Sequence, residues 1–576
     1  MPTIRTLGRT VLITVLIAGL AGTAGAATLA GETYFKRNCA SCHTADAALT
    51  PGAGPGLAGV LGRKPGAVPG FNYSDALSQA GANGKIWSAA DLDTFLADPA
   101  RAMPGTSMPV NIAAKADRAA VIAYLATLKS AAPASPASAA MPAAGTSAGA
   151  SASLSAVAPW SDDAPGKNHR ITFAALPAPF ASASAGNSPK LVARPEGALP
   201  AVPPGFRITV FASDPDKGRL MIRAPNGDVF LSEPGKGQIK VLRSSSGETA
   251  DTIAVFASGL DRPFGIAFYP SGPNPAYLYV ATVNAIVRLP YANGALKARA
   301  QPETVVPFLT AEKGGHSSRT LTFSSDDQVM FVSIGSATNV ANTMVPAPPL
   351  PVAQWEAKYN LGAAWGDEFD RAVVLAFDPK GGARRTYATG LRNCVGMVVY
   401  PPTGDLLCSV NERDELGDNL PPDYVTRVKA GAFYGWPWYY IGNHEEPRLA
   451  GARPDLLDKV SVPDVLLQAH SAPLGMAPYL PLKGAKHAFP KEYDGDVFLA
   501  MHGSWNRALR TGSKVVRIRM NKGVPTGEYQ DFMTGMIVSD KEVWGRPSSV
   551  LVAQDGALLV DDDASGTIWR IVPDKR

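Results

Sequence analysis

Beyond residue 160 the apolar residues of this 576-residue chain fall in short runs, each preceded by a cluster of Gly, Pro, Asn or Asp. A turn followed by a short apolar run predicts an antiparallel hairpin. Six such units recur at irregular spacing, which favours a six-bladed β-propeller with long inserted loops. A β-sandwich is the alternative, but about 400 residues is long for one. The six units are Pro225–Asp228 before Val-Phe-Leu, Pro270–Gly272 before Tyr-Leu-Tyr-Val, Ser325–Asp327 before Val-Met-Phe-Val, Pro402–Asp405 before Leu-Leu-Cys, Asp494–Asp496 before Val-Phe-Leu and Gln554–Gly556 before Leu-Leu-Val.

The two ends of this region, 158–576, each carry a further apolar segment. These segments are Phe206–Phe211 and Thr567–Val572. We expect them to pair with each other, because pairing of the two ends closes the ring of a propeller. The predicted large domain is therefore all-β and closed by its own termini.

The first 26 residues have the pattern of a secretory signal. Arg5 and Arg9 precede the apolar run Val11–Leu20, and Ala24-Gly25-Ala26 resembles a cleavage site. An uncleaved membrane anchor is the alternative, but this run is short for a span. No later apolar run has spanning length, so we expect a periplasmic mature protein without an integral membrane span.

Residues 27–130 are predicted to form a first domain around a cysteine motif. The segment Cys39-Ala-Ser-Cys42-His43 has the C-x-x-C-H spacing of covalent c-type haem attachment. Each thiol can add to one haem vinyl group, and His43 then lies under the iron as its proximal ligand. A structural disulfide or half of a zinc site is the alternative, although no second C-x-x-C follows nearby. Residues 131–157 are rich in Ala, Ser and Pro and predict a flexible linker between two modules.

Charge and cysteine content argue against a nucleic-acid-binding protein and against a disulfide scaffold. The chain has 54 Lys and Arg against 49 Asp and Glu, a net charge of +5, and no dense basic run that would indicate nucleic-acid binding. Four cysteines are few for a disulfide scaffold.

Cys394 and Cys408 flank a predicted hairpin and form either a disulfide or two buried thiols. Direct cross-strand register would place Cys394 nearer residue 412.

The first domain resembles class I cytochromes c over its whole length, which implies an all-α fold. The motifs that carry the resemblance, besides C-A-S-C-H, are Gly31–Phe35, Gly54–Leu57, Leu61–Lys64, Gly70–Ala76, Trp87, Pro104–Pro109 and the helical period of Ala116–Leu128. The resemblance implies Met108 as the second axial ligand of the iron, with Met103 as its nearby rival. A His/Met pair suits electron transfer rather than oxygen chemistry. It also implies that Pro55 contacts the His43 side, and that three residues lie near the haem propionates unless they serve only in packing: Arg63, Tyr73 and Trp87.

The large domain resembles the glucose/sorbosone dehydrogenase family, whose members use pyrroloquinoline quinone (PQQ). The likeness covers nearly all of residues 160–572, and the order of its motifs makes it specific. These motifs are Gly259–Gly265, Gly314–Arg319, Gly390–Asn393, Asn411–Asp414 with Leu416–Asp418, Phe433–Pro437, His470–Gly475, His502–Arg507 and Gly545–Pro547.

The resemblance implies a cofactor site with one catalytic histidine. It places His316 as the base that takes the substrate hydroxyl proton; a surface-loop histidine is the alternative. PQQ carries three carboxylates and calls for guanidinium partners. The candidates are Arg392 and Arg546, with Asn393 and Arg507 behind them, although each arginine could instead lie on the surface. The main-chain carbonyls of Arg413 and Asp414 match the family's calcium-holding loop, or belong to a solvated acidic loop.

One position departs from the family pattern. In the glucose-oxidising members an acidic residue after Ile-Gly supports the histidine, whereas here Ile334-Gly335 is followed by Ser336. This departure favours the sorbosone-type branch over a glucose-like arrangement. In that branch either His470 or His502 is a further candidate for proton handling, and each could equally be a packed polar residue.

The sequence therefore predicts an exported quinohaemoprotein. Its propeller would oxidise a sugar, a sorbosone-like aldehyde or an alcohol through PQQ and Ca²⁺, and its haem c would pass the electrons to a respiratory acceptor, a cytochrome or an oxidase. The alternative is a carbohydrate- or partner-binding propeller attached to an electron-transfer cytochrome. A calcium-dependent propeller lactonase is a third interpretation, which leaves the cytochrome without a role.

Overall fold

The computed structural model describes two compact units, one within residues 1–141 and the other within 142–576. The described residues are 28–36, 38–39, 43–47, 49, 54–68, 71, 73–104, 106, 108, 111–130, 158–213, 217–310, 314–342, 344 and 347–574. The predicted signal segment 1–26 and linker 131–157 lie outside them. Among the described residues, none of the helices combines the length and the apolar character that a membrane crossing requires.

The first unit is helical. Its helices are α1 (Asp75–Ala82), α2 (Ala89–Ala97), α3 (Pro99–Ala102) and α4 (Lys115–Thr127), and residues 28–36 are also helical. Helix α4 confirms the period found at Ala116–Leu128. Helix α2 begins with a capping box in which Ser88 and Asp91 satisfy each other's main-chain amides. The core of the unit includes Phe35, Phe95 and Leu125.

The second unit is a ring of six antiparallel sheets, called blades I to VI. Three strands precede the first blade: β1 (Asn168–His169), β2 (Lys190–Leu191) and β3 (Phe206–Ser213). Blade I contains β4 (Leu220–Arg223), β5 (Val229–Glu233), β6 (Gln238–Arg243) and β7 (Thr252–Ala257). Blade II contains β8 (Ile266–Tyr269), β9 (Tyr277–Ala281), β10 (Ile286–Pro290) and β11 (Glu303–Val306). Blade III contains β12 (Leu321–Phe323), β13 (Met330–Ile334), β14 (Val373–Phe377) and β15 (Arg385–Thr389).

The remaining blades carry the long insertions. Blade IV contains β16 (Cys394–Tyr400), β17 (Asp405–Val410), β18 (Pro422–Val428) and β21 (Val465–Ala469), with the hairpin β19 (Tyr439–Tyr440) and β20 (His444–Glu445) inserted. Blade V contains β22 (Pro473–Pro478), β23 (Val497–Met501), β24 (Lys514–Asn521) and β25 (Val524–Met533), and β1 pairs with β25 outside it. Blade VI contains β27 (Pro547–Val552), β28 (Leu558–Asp562) and β29 (Thr567–Pro573), completed by β3. Strand β26 (Glu542–Val543) pairs with β2. Helix α5 (Val352–Tyr359) lies between β13 and β14, and short 3₁₀ turns occupy Trp160–Asp162, Phe173–Ala175, Pro234–Lys236, Gly366–Glu368, Pro447–Leu449, Pro454–Leu456 and Lys491–Tyr493.

The six predicted turn units are the first hairpins of the six blades. Each predicted apolar run is the second strand of its blade: β5, β9, β13, β17, β23 and β28. Glycine suits these turns because their backbone reaches positive φ, as at Gly227 and Gly404 with φ angles of +95° and +76°. Strands β5, β13, β23 and β28 are buried at every residue. Each begins with an apolar run of at least three residues because both faces of a blade pack on neighbouring blades.

The ring closes as the sequence predicts. Strand β3 pairs antiparallel with β29 from Ser213↔Thr567 to Phe206↔Pro573. The first strands of neighbouring blades pack side by side around the axis. The loops before these innermost strands therefore converge at one end of the ring. The helices of the first unit and the six sheets of the second confirm the predicted all-α domain followed by an all-β six-bladed propeller.

A buried ionic cluster joins the segment before the propeller to blade V. The Lys514 ammonium lies 2.8 Å from carboxylate oxygens of both Asp163 and Asp531, and His169 Nε2 lies 3.0 Å from Asp531. Burial opposes the charge of Lys514, but the two carboxylates outweigh it and hold the pKa of Lys514 above its ordinary value. The ammonium thus supplies the positive charge that these buried acids require.

The Lys514→Met variant tests this cluster. It leaves two buried carboxylates without their cation, so we expect the free energy of unfolding to fall by about 3–5 kcal/mol. Lys167→Met is the matched control, because Lys167 pairs with Asp162 at 3.9 Å on the surface, where such a pair contributes about 0–1 kcal/mol. Urea unfolding followed by tryptophan fluorescence measures both. Equal midpoints for the two variants would contradict the prediction.

Candidate functional site

In the helical unit the histidine of the C-x-x-C-H motif is positioned by the loop that follows it. His43 Nδ1 lies 2.8 Å from the carbonyl oxygen of Pro55, which leaves Nε2 for an iron atom. A Cβ on Gly54 would lie 2.3 Å from His43 Cε1, so only glycine fits against the ring. Cys39 lies one helical turn before His43, whose amide donates to the Cys39 carbonyl at 2.9 Å. Cys42 lies outside the described residues.

The two candidate methionine ligands differ in their surroundings. Met103 is 9% exposed and belongs to the core of the unit, whereas Met108 is partly buried at the edge of that core. Met108 as the second ligand of the iron, with Met103 as its rival, stays a prediction. Of the other predicted residues, Arg63 donates to the carbonyls of Gly56 and Ala58, Tyr73 accepts from the Val68 amide, and Trp87 packs in the core.

In the propeller two cavities meet at His316. The larger, the basic cleft, has a volume of about 740 Å³ and is lined by the cationic residues Lys217, Arg219 and Lys236 together with His316 and Asn393. The smaller, the acidic cavity, has a volume of about 90 Å³ and is lined by Glu412, Asp414 and Asp423 together with His316, Arg392 and His470. The fold therefore brings the predicted base between two regions of opposite charge.

The hydrogen bonds of His316 fix its tautomer. His316 Nδ1 lies 3.0 Å from both the carbonyl oxygen and the hydroxyl oxygen of Ser336. The Ser336 hydroxyl donates its own proton to the Thr338 carbonyl at 2.7 Å, so both Ser336 oxygens accept from Nδ1. We therefore assign the proton to Nδ1 and the free lone pair to Nε2. Burial, followed by the charge of Arg392, holds the pKa of His316 well below its ordinary value, so the ring is neutral.

Two buried residues hold the loop that carries Ser336. Glu368 accepts from the amides of Ala337 and Thr338 at 2.8 Å. Arg371 donates to the carbonyls of Gly335 at 2.7 Å and Ser336 at 2.8 Å. A Cβ on Gly335 would lie 2.7 Å from the Cβ of His316, which explains the glycine before Ser336. Sequence reasoning missed Glu368 and Arg371, and the only signal was a charged segment just before the apolar run of β14.

Arg392 and Asn393 lie side by side between the two cavities. The Arg392 guanidinium donates to Asn339 through Nε and Nη2, at 3.0 and 2.7 Å, and through Nη1 to the carbonyls of Asn411 and Glu412 at 3.1 and 2.7 Å. Most of the Arg392 donors therefore already bind oxygen atoms of the protein. Asn393 Oδ1 is buried and has no hydrogen-bond partner among the described residues. The Asn393 amide is therefore the group of this pair that remains available to a ligand.

The acidic cavity holds three carboxyl groups, and among the described residues none of them forms a direct ion pair with a lysine or arginine, while the charge of Arg392 acts on all three from the cavity wall. Glu412 Oε1 is buried without a hydrogen-bond partner in the described part of the chain. Asp423 accepts from the amides of Glu412 at 2.8 Å and Ala472 at 2.9 Å. Burial raises the pKa of Glu412 to about 7, of Asp414 to about 6 and of Asp423 to about 7. These acids carry charge at neutral pH only at a cost, and a cation in the cavity would remove that cost.

Hydrogen bonds of the Arg413 and Asp414 side chains hold the predicted calcium loop in place. The Arg413 guanidinium lies 2.5 and 2.6 Å from the two oxygens of the Glu446 carboxylate. Its Nε donates to the Asp414 carbonyl at 2.6 Å. The Asp414 carboxylate accepts from Asn506. The main-chain oxygen of Asp414 is thus already engaged, whereas the neighbouring Glu412 carboxylate offers an unused oxygen to a cation.

Two of the predicted arginine clamps serve the propeller framework. Arg546 donates to the carbonyls of His502 at 3.0 Å and Gly503 at 2.9 Å, and burial lowers its pKa to about 10. Arg507 donates to Asn419 Oδ1 at 2.8 Å. The cationic residues of the basic cleft, Lys217, Arg219 and Lys236, escaped sequence reasoning because no motif marks the loops before β4 and around Pro234.

The two further histidines differ in their hydrogen bonds. His470 Nε2 donates to the Gly417 carbonyl at 3.0 Å and its Nδ1 accepts from Asn506 at 3.1 Å, so both nitrogens are engaged. His502 Nε2 lies 2.8 Å from Asp563, which also pairs with Arg219 at 3.2 Å. His470 therefore orients Asn506 and Asp414, while His502 connects to the basic cleft through Asp563.

A disulfide begins at Cys394, directly after the predicted cofactor-binding residues Arg392 and Asn393. Cys394 and Cys408 are joined with their Cα atoms 5.8 Å apart. A bulge places Cys394 opposite Val410 and Met397 opposite Cys408. The direct register that puts Cys394 nearer residue 412 is therefore wrong, because the bulge at Val395 shifts the strand. The bond fixes the strand after Arg392–Asn393 to the strand before Asn411–Glu412.

Comparison with known proteins divides the chain in the same way. Residues 29–129 match the cytochrome c family model. They are similar to cytochrome c2 of Rhodopseudomonas palustris, with 40% identity over 113 residues, 17% of this chain and 96% of the relative. The first unit is therefore a cytochrome c domain, and this family implies haem. An uncharacterized protein of Borreliella burgdorferi is 27% identical over 388 residues, 65% of this chain and 91% of its own length.

Solved structures agree on the fold of the second unit. It is similar to the holo form of the pyranose dehydrogenase PQQ domain from Coprinopsis cinerea, with 20% identity, a TM-score of 0.52 and coverage of 66% of this chain and 98% of that one. It is also similar to the calcium structure of a Trichoderma reesei carbohydrate-active enzyme of family AA12, with 18% identity, a TM-score of 0.51 and coverage of 65% and 97%. The TrAA12-like family model matches residues 200–423 and 457–574. Because this match spans more than half of the sequence, the chain belongs to the TrAA12-like family and joins its propeller to an N-terminal cytochrome c domain.

Proposed function

We propose that the protein is an electron-transfer dehydrogenase that oxidises a hydroxyl or hydrated aldehyde group of a sugar or related alcohol, with PQQ and Ca²⁺ in the propeller and haem c in the cytochrome domain. One observation carries the proposal: His316, with no proton on Nε2, lines both the basic cleft and the acidic cavity. The similarity to a holo PQQ domain and to a calcium-containing relative supports the choice of cofactors.

The basic cleft fits a cofactor with three carboxylates. Lys217, Arg219 and Lys236 supply positive charge along one side, and Asn393 supplies an unsatisfied amide on the other. Arg392, Arg507 and Arg546 would act behind this first set, because their donors already bind protein groups. When bound, PQQ supplies a two-electron acceptor for hydride from the substrate carbon.

The acidic cavity fits a hard divalent cation. Calcium prefers oxygen ligands, and Glu412 Oε1 is a buried carboxylate oxygen without a partner among the described residues. The main-chain oxygen of Arg413 would complete this side. That of Asp414, the other oxygen predicted from the sequence, already accepts from Arg413 Nε and would be shared with the cation. Bound there, Ca²⁺ would polarise a quinone oxygen as a Lewis acid.

His316 would act as the general base. Its Nε2 lone pair would take the hydroxyl proton, and hydride, which carries the second proton and both electrons, would leave the adjacent carbon for the cofactor. Ser336 holds the ring in the tautomer that this step needs. The basic cleft orients the anionic cofactor, and the loop held by Glu368 and Arg371 keeps His316 in place.

The cytochrome domain would accept the electrons one at a time through haem bound by Cys39, Cys42, His43 and Met108. A respiratory cytochrome or oxidase would then take them. This use of haem c fits a protein that is exported to the periplasm by residues 1–26. Because Ser336 replaces the acidic residue of the glucose-oxidising branch, a sorbosone-like aldehyde is the substrate class we favour.

The first test is haem reduction in the full-length protein. With PQQ, Ca²⁺ and a panel of sugars, aldehydes and alcohols, we expect reduced haem bands only when PQQ and substrate are both present. His316→Ala should slow this reduction by roughly 10²–10⁴-fold, because it removes the base. His444→Ala is the matched control, since His444 belongs to the β19–β20 hairpin. Absence of both PQQ binding and haem reduction would favour the binding-module alternative, whereas PQQ binding without reduction would indicate a substrate outside the panel.

Ser336→Asp tests the role of the neutral tautomer. A carboxylate beside Nδ1 would raise the pKa of His316, which otherwise lies well below its ordinary value. The base acts only when deprotonated, so activity is lost as the pH falls through this pKa. We therefore expect the acid limb of the kcat/KM profile to move to higher pH in Ser336→Asp. Ser336→Thr, which keeps the hydroxyl, should retain the original limb, and coincident profiles for the Asp variant would argue against the assignment.

Glu412→Gln tests the cation site. The variant keeps the shape of the side chain but removes its charge, so we expect Ca²⁺ affinity to fall about tenfold or more. Calorimetric Ca²⁺ titration of the PQQ-loaded protein measures this directly. Glu415→Gln is the matched control, because Glu415 is exposed and three residues away. Unchanged affinity in Glu412→Gln would remove Glu412 from the site.

A further inference from the structure

A third cavity occupies the other end of the propeller axis. This lower chamber has a volume of about 720 Å³, within the range of about 300–1,000 Å³ that small-molecule sites occupy. All six innermost strands contribute to its wall. One wall residue from each of blades I to VI is Ile222, Phe268, Phe323, Val399, Ala477 and Val552.

A neck separates the lower chamber from the basic cleft. Among the described residues, the two cavities have no wall residue in common. Between them the innermost strands approach closely: the Gly265 amide donates to the Arg319 carbonyl at 2.8 Å, and the Met221 amide donates to Ser549 Oγ at 3.1 Å. A Cβ on Gly475 would lie 2.9 Å from the Cα of Ser549. The lower chamber is therefore a site of its own and not an extension of the candidate active site.

The lower chamber is apolar apart from one cation and a few neutral polar groups. Its wall is formed mainly by Leu, Ile, Val, Met, Phe, Ala and Pro, and Arg223 is its one charged member within the described part of the chain. The Arg223 guanidinium makes a single hydrogen bond, from Nη1 to the Val552 carbonyl at 3.3 Å. No described carboxylate forms an ion pair with it. Burial alone accounts for the lowered pKa of Arg223.

An arginine in this position calls for an anion. Several other arginines of the propeller pair with an acid, as Arg243 does with Asp228 at 2.6 Å and Arg517 with Asp496 at 2.5 Å, or donate several hydrogen bonds to protein oxygens, as Arg392 does. A partly desolvated cation without a partner is costly, and a carboxylate that accepts two guanidinium hydrogen bonds offsets that cost. The rest of the wall favours an apolar body, because it offers hydrocarbon surface on all sides.

We propose that the lower chamber binds an amphiphilic monoanion, an apolar chain that ends in one carboxylate, with Arg223 as the anchor of the head group. The chain of the ligand lies along the innermost strands, and its head lies at the level of Arg223 and Val552. This site is independent of the proposed dehydrogenase reaction and requires neither PQQ nor calcium.

The test uses the full-length haem protein and two ligands that differ only in the head group. The dye 1-anilinonaphthalene-8-sulfonate reports on apolar sites through its fluorescence. We expect dodecanoate to displace it saturably, and dodecanol, which has the same chain without the charge, to be at least tenfold weaker. Equal displacement by the two ligands, or no saturable displacement by dodecanoate, would overturn the proposal without any variant.

Arg223→Met then identifies the anchor. We expect this variant to lose tenfold or more in dodecanoate affinity while its weak affinity for dodecanol is unchanged. Arg170→Met is the matched control, because it removes the same charge from an exposed side chain. Haem and thermal-unfolding spectra establish that each variant is folded. Equal dodecanoate affinities in Arg223→Met and wild type would assign the binding to another surface.

Discussion

The pairing of β3 with β29 is the constraint on which the rest of the propeller depends. It joins strands from opposite ends of the domain sequence and so brings blade VI against blade I. Only in a closed ring do the loops before the innermost strands of all six blades meet at one end. Lys217 and Arg219 from the entry to blade I can then lie in the same cleft as His316 and Asn393. The candidate chemistry is a consequence of ring closure, since no single blade carries it.

Local turn chemistry made the architecture predictable. The Gly- and Asp-containing turns identified the second strand of every blade, because φ > 0 and a buried apolar run leave few alternatives to a hairpin. His316 and Asn393, both predicted from motifs, line the same cleft, although their roles in catalysis and cofactor binding stay predictions. What could not be predicted is which charged side chains face the cleft. Arg392 and Arg507 stand in equally clear motifs, yet their donors bind main-chain carbonyls and Asn419, a choice that depends on contacts distant in sequence.

The environment of His316 shows how the neutral Ser336 can orient a histidine ring as a carboxylate would. Ser336 offers two oxygens to Nδ1, and its own proton is taken by Thr338, so the direction of every hydrogen bond is determined. A carboxylate at this position would orient the ring equally well but would also favour its protonated form. Ser336 therefore orients the ring without adding a negative charge beside it. A buried carboxylate oxygen without a hydrogen-bond partner among the described residues, Glu412 Oε1, lies in the acidic cavity instead.

The disulfide between Cys394 and Cys408 has a practical consequence for making this protein. It ties together the two strands whose ends carry Arg392–Asn393 and Asn411–Glu412, and disulfides of this kind form in oxidising compartments. The proposed attachment of haem c through the cysteine motif makes a comparable demand on the host. A recombinant strain that keeps the chain in a reducing cytosol would yield material in which β16 and β17 lack their covalent link. Material produced by secretion would retain that link.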